Sequence, residues 1–204
     1  NVFYYITTMN ENYPHPALSK GQEKDIVKGM YLFQKGKKGE TRVQLLGSGS
    51  ILREIIAAAS LLEKDFKIQA DIWSCPSFNE LKRDGDEVSR WNLLHPDKKD
   101  RKCHVTQCLE NTEGPVVAAT DYVKLFADQI RAYVPRPYAV LGTDGFGRSD
   151  SREALRKHFE VDRYYITVAA LNLLVGVKGI STETVKSALK KYKIDLKKDN
   201  PLMS

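Results

Sequence analysis

The chain has 204 residues, enough for one domain that buries roughly 70% of its unfolded surface without a disulfide or metal staple. Its 42% hydrophobic and 28% charged residues fit a globular protein, and no apolar run approaches the ~20 residues of a membrane span. The formal charge of +6 does not point to nucleic acid, because many lysines gather at 35–38 and 186–198 without interleaved aromatic residues.

Val2 to Ile6 has an apolar, aromatic strand pattern, and Asn10 to Pro16 follows as a turn-rich linker. A strand running at once into a stiff linker predicts that residues 1–18 are the tail of a preceding domain and that 19–204 form the domain proper. Gly29 to Phe33, a Lys/Gly-rich tip at Gln34 to Glu40, and Arg42 to Leu46 have hairpin character. Gly47-Ser48-Gly49-Ser50 then turns into an apolar helix, Ile51 to Phe66, with Ser50 predicted as its N-cap. Exposed amides at such a turn also bind anions, which makes Ser48, Gly49 and Ser50 a weak anion-site candidate. The turn is no dinucleotide fingerprint: Leu52 stands where its third glycine belongs, and no acid ends the next strand, Ile68 to Ser74.

Ser77 and Glu80 have capping-box spacing. The helix they open is expected to break near Gly85, to resume through Val88, Trp91 and Leu94, and to end at Pro96. His104 to Leu109 and Pro115 to Ala119 are two further strand candidates. Thr120 or Asp121 is predicted to cap a helix with Tyr122, Leu125, Phe126, Ile130 and Tyr133 inward, stopped by Pro135. Tyr138 to Leu141 is the last strand. Asp150 is expected to cap a short helix, Asp162 a helix apolar nearly all round, and Ser181 a final amphipathic helix. Strands alternating with helices predict an α/β domain, a three-layer α/β/α arrangement with a mixed sheet.

Cys75, Cys103 and Cys108 are odd in number and lack CxxC spacing. That predicts free thiols in a reducing, cytoplasmic compartment. No GxSxG, GxxxxGK[ST] or HExxH arrangement occurs. No secretory leader is expected either.

The stretch with most functional content is Gly142 to Arg152, at the carboxyl end of the last strand, where ligands and partners collect in α/β domains. Three glycines, Gly142, Gly145 and Gly147, fall within six residues, and Phe146 lies among them between Asp144 and Arg148. One reading is a turn whose phenylalanine plugs a local gap. The other is a rigid loop presenting Asp144, Phe146, Arg148 and Ser149 as an interface.

Gly142 to Arg152, with His158 to Asp162, resembles the C-terminal domain of the homodimeric bacterial pyruvate dehydrogenase family, within the transketolase superfamily. Tyr4 to Tyr13, Leu45 to Leu52, Arg90 to Pro96 and Thr120 to Gln129 resemble the same family. The resemblance implies a five-stranded mixed sheet with one antiparallel edge strand, for which Gly29 to Phe33 is the candidate, and leaves His104 to Leu109 as the surplus strand. It implies a parent enzyme that uses thiamin diphosphate and magnesium to decarboxylate pyruvate and then acetylates the lipoyl group of a dihydrolipoyl acyltransferase. The implied partners are the preceding domains, a second copy in a homodimer, and the acyltransferase; neither membrane nor nucleic acid is among them. No catalytic, cofactor-binding or metal residue is carried over to this chain, whose implied role is assembly. The alternative is an autonomous small-molecule or anion-binding module built on Gly47 to Ser50.

Overall fold

Each apolar run that becomes a strand alternates its side chains between two helical layers, which is what a sheet covered on both faces requires. The computed structural model describes residues 12–14, 16–39, 41–177 and 179–203. The Val2 to Ile6 strand and most of the proposed tail lie outside them. Five strands, β1 (Tyr31–Gln34), β2 (Arg42–Gly47), β3 (Gln69–Ser74), β4 (Val116–Ala119) and β5 (Tyr138–Leu141), form one sheet in the order β1-β3-β2-β4-β5. β2 pairs in parallel with β3 and β4, β4 in parallel with β5, and β1 lies antiparallel on the β3 edge. The mixed five-stranded sheet and its antiparallel edge are as expected.

On one face Val43, Leu45, Ile72 and Val117 meet α2 (Leu52–Phe66), α7 (Arg163–Gly176) and α8 (Thr182–Lys191). On the other, Leu46, Trp73, Val116 and Ala118 meet α3 (Phe78–Leu94), α4 (His104–Leu109) and α5 (Lys124–Asp128). A short α1 (Glu23–Val27) precedes β1, and α6 (Arg152–His158) precedes α7. Because α7 lies against α2, α8 and the sheet, its near-uniform apolar character is what its surroundings demand. The Asp162 carboxylate caps it, accepting the Tyr164 and Tyr165 amides at 2.9 Å each.

Several local expectations are corrected. β1 and β2 form no hairpin, since β3 is inserted between them. His104 to Leu109 is a helix: its first amide donates to Asp84 Oδ2 at 2.6 Å, and its Thr106 hydroxyl donates to the Tyr133 carbonyl at 2.8 Å. A six-residue run carries too little periodicity to choose between helix and strand, and these tertiary anchors choose. Helix α3 runs unbroken through Gly85, where a Cβ would stand 2.2 Å from the Tyr133 ring. That glycine permits close packing and does not break the helix. Ser77 accepts the Glu80 amide at 3.1 Å, whereas the Glu80 side chain turns to Arg83.

The caps also shift. Ser48, not Ser50, precedes the turn of 3-10 helix Gly49–Ile51 that leads into α2, and neither makes a side-chain cap. Ser151, not Asp150, caps α6 by accepting the Ala154 amide. Ser181 stands at the N-cap of α8 without a side-chain cap bond. Neither Thr120 nor Asp121 caps α5, which Val123 precedes. This five-residue helix turns Ala127 to the core, leaving Tyr122, Leu125 and Phe126 outside.

Candidate functional site

The strand order reverses between β2 and β4, and the carboxyl ends of β2, β4 and β5 open there onto a shared edge. Chain crossings leave a crevice at such a point, the usual place for a site in an open α/β sheet. Ser48 Oγ donates to Thr120 Oγ1 at 2.8 Å, joining the two loops across the reversal. Ser50 Oγ donates to Asp121 Oδ2 at 2.9 Å. The Ser48-Gly49-Ser50 turn therefore faces a carboxylate, whose charge opposes an anion at that place.

The loop after β5 is pinned from two sides. Thr143 donates from its amide to the Tyr122 carbonyl (2.9 Å) and from its hydroxyl to the Asp121 carbonyl (2.7 Å). Asp144 Oδ1 accepts the Lys124 amide at 2.8 Å, and Lys124 Nζ lies 3.8 Å from Asp144 Oδ2. A Cβ on Gly142 would sit 2.7 Å from the Lys124 nitrogen, so only glycine lets the loop lie this close. Gly145 has φ +109° and packs on the C-terminal segment, where an added Cβ would lie 2.4 Å from the Pro201 carbonyl oxygen. Beyond these anchors Phe146 is 80% exposed, and Arg148 and Ser149 are also at the surface. Of the four loop residues singled out in the sequence, Asp144 is an internal anchor and the other three face outward. Phe146 plugs no gap.

A groove of about 320 Å³ runs beside the loop, lined by Ser50, Asp121, Thr143, Gly145, Arg148 and Arg156. Arg156 is already engaged with Glu54 Oε1 at 3.1 Å. The buried Glu54 also receives Arg163 through its backbone amide (3.0 Å) and its guanidinium (2.9 Å to Oε2). Burial pushes the Glu54 carboxyl upward, but the Arg163 hydrogen bonds and charge, with Arg156 behind them, outweigh it and hold the pKa below the ordinary value. Sequence reading passed over Glu54, although an acid beside the apolar run Ile55 to Ala59 in the first turn of α2 was the available signal. It likewise turned Tyr122, Leu125 and Phe126 inward, whereas they are exposed; Ile130 is buried and Tyr133 packs on the core, as expected.

The three cysteines are free. Cys108 Sγ lies 3.6 Å from His104 Nε2, while that nitrogen is 2.8 Å from the Met30 carbonyl. Cys103 precedes α4 and Cys108 lies within it. Among the described residues, no group of three His, Cys, Asp or Glu side chains is placed to hold a metal ion. Burial pushes the Cys75 thiol well up, and burial with the Asp25 charge raises Cys108 to about 11. At pH 8 only about a thousandth of Cys108 is thiolate. We therefore expect iodoacetamide to label Cys75 and Cys108 only after unfolding, as read by intact mass; prompt labelling of the native chain contradicts this.

Comparison with known proteins adds the relatives. Residues 29–162 match the family model described as the transketolase-like TK C-terminal domain. The chain is 57% identical over 204 residues to the pyruvate dehydrogenase E1 component of Cupriavidus necator, covering 99% of this chain and 23% of that protein. It is 51% identical over 205 residues to the E1 component of Escherichia coli K12, covering 100% of this chain and 23% of the relative. The chain thus spans 23% of the length of these curated relatives. Among solved structures, a transketolase of Pichia stipitis in complex with sedoheptulose 7-phosphate matches with a TM-score of 0.52 at 18% identity, covering 76% of this chain and 19% of that one. At that identity the likeness concerns the fold alone. Among the described residues, no helix is long and apolar enough to cross a membrane.

Proposed function

This chain belongs to the transketolase-like C-terminal domain family, and from that premise we propose that it is the assembly domain of a pyruvate dehydrogenase E1 component. The observation that carries the reading is the identity of 57% extending over 99% of the chain. In this reading residues 19–204 are the domain and 1–18 the tail of the domain before it. The whole enzyme is a cytoplasmic homodimer that decarboxylates pyruvate and passes the acetyl group to the lipoyl arm of a dihydrolipoyl acyltransferase. Thiamin diphosphate with magnesium would supply the electron sink for that decarboxylation in the whole enzyme.

The residues described here do not fit that cofactor. No donor cluster is placed for the ion, and the glycine turn after β2 faces Asp121. In this reading the chain's contribution is to hold the catalytic domains in place. The pinned loop after β5 supports this role, because it offers an aromatic ring and an arginine on a backbone that neighbouring segments fix, the composition of an interface anchor.

Arg148→Ala and Phe146→Ala test the reading in the full-length enzyme. Each side chain is exposed, so the domain's own stability should change by no more than about 0.5 kcal/mol. Loss of an interface anchor costs about 2 kcal/mol of association, which sedimentation would register as a dimer weakened about thirtyfold, with a parallel fall in pyruvate-dependent turnover. Unchanged dimer affinity together with unchanged turnover returns the loop to an ordinary surface turn. Full-length enzyme that fails to decarboxylate pyruvate sinks the functional reading itself.

A further inference from the structure

After α8 the chain runs back across the domain to the carboxyl edge of the sheet. Residues 195–203 bring little apolar burial with them: Leu196, Leu202 and Met203 are exposed, and of these described residues only Pro201 is buried. The segment is held at two points instead. Lys198 Nζ donates to the His158 carbonyl at 2.5 Å and to Glu160 Oε1 at 3.0 Å. The same ammonium lies 5.7 Å from the centre of the Tyr165 ring. Both acceptors belong to the turn between α6 and α7, where Glu160 takes a φ of +61°. Three residues further on, the backbone of Pro201 and Leu202 packs on Gly145. A cavity of about 270 Å³ remains beside these points, lined from the edge by Lys124 and Asp144 and from the segment by Lys198 and Asn200. A segment fixed by a few polar contacts, with little apolar surface buried, opens at far lower free energy than a core element.

We propose that residues 195–203 form a releasable strap on the loop after β5, with the Lys198 ammonium as its latch. The latch brings Pro201 against Gly145, which at φ +109° carries no Cβ to hold the strap away. The loop's other anchors, on Asp121, Tyr122 and Lys124, all act through Thr143 and Asp144, ahead of Gly145. Lifting the strap therefore leaves those anchors in place and removes the support under Gly145, from which Phe146 and Arg148 project. The coupling runs in both directions. A change at Gly145 that pushes on Pro201 has to favour the lifted strap, and a lifted strap has to favour a loosened loop, by the same free energy. The device sets the order of the loop whatever the loop meets, so it goes beyond the assembly reading and does not depend on it.

Limited trypsin digestion of the full-length protein tests both directions, because Lys197 lies in the strap and Arg148 in the loop. Cut sites are read by mass spectrometry, and each rate is normalised to that of the unfolded chain. Cleavage of a native protein tracks the population of its open form when reclosing is fast. Lys198→Met keeps the length of the side chain and removes its charge. Cutting after Lys197 and after Arg148 should both accelerate about tenfold, the loss expected for charge-assisted hydrogen bonds. Glu160→Gln spares the bond to the His158 carbonyl and should give a smaller rise at the same two sites. Gly145→Ala, whose Cβ would meet the Pro201 carbonyl oxygen, should accelerate cutting after Lys197. Cutting within the exposed loop 98–102 and the denaturant midpoint should stay at wild-type values in all three. An unchanged rate after Lys197 in Lys198→Met overturns the proposal, as does a rise there that Arg148 does not share. A strap cut at the wild-type rate in Gly145→Ala overturns the coupling. Equal acceleration at 98–102 with a lowered midpoint overturns it too, since the segment then belongs to the cooperative fold and is no strap.

Discussion

Asp71→Ala is expected to destabilise the chain by about 3–5 kcal/mol, the cost of removing one partner of a buried ion pair. Asp71 and Arg42 have side chains only 8% and 11% exposed, and Arg42 Nη1 lies 2.6 Å from Asp71 Oδ1. The same carboxylate accepts the Gly36 amide at 2.8 Å and the Gln44 side-chain amide at 3.0 Å. Gln44 in turn accepts the Trp73 indole N–H at 2.8 Å and donates to the Glu113 carbonyl at 2.9 Å. Truncation strands the Arg42 cation and the Gly36 amide at once. The two-residue change Arg42→Met with Asp71→Leu should cost much less than Asp71→Ala alone, because no unpaired charge remains. Denaturant midpoints of the three proteins decide it; a loss below about 1 kcal/mol for Asp71→Ala means that the pair behaves as a surface one.

Glu54→Gln should cost about 2 kcal/mol, less than a fully buried pair because its arginines partly rehydrate. The Arg163 side chain is 44% exposed and that of Arg156 18%, against 4% for Glu54. The dependence on pH has a definite sign. With the folded pKa of Glu54 held below the unfolded value, its stabilisation is complete above about pH 4.3, the ordinary glutamate pKa. It fades as pH falls through the folded value. The stability gap between wild type and Glu54→Gln should therefore close on acidification. A gap that stays constant down to pH 2 would falsify the assignment of that stability to the ionised carboxyl.

How much of this was legible in the sequence depends on the length of each signal. The sheet was largely legible, because Arg42 to Leu46, Ile68 to Ser74, Pro115 to Ala119 and Tyr138 to Leu141 are apolar runs bounded by turn residues. Helices α2 and α7 were too, being long and strongly patterned. His104 to Leu109 was not, since the Asp84 carboxylate that receives its first amide is twenty residues away. Nor was the role of Gly85, which depends on the Tyr133 ring arriving from a distant segment. At the candidate site the sequence singled out Phe146 and Arg148. It did not reveal that Asp144 is taken by Lys124, or that the exposed face of α5 adjoins the loop. Both are facts of tertiary contact between short elements.

The strand order carries a consequence for the time at which the domain can form. β2 and β3 leave the ribosome together, but the other edge of β2 is completed only by β4, with Gln44 opposite Val116, and the face under Leu45 closes only when α7 has been made. Translation at about 5–20 residues per second leaves one edge of β2 unpaired for seconds before its neighbour exists. Distant pairings of this kind also slow the search for the native state. The nascent protein therefore passes through an interval in which a strand destined for the core carries an unpaired edge open to other chains.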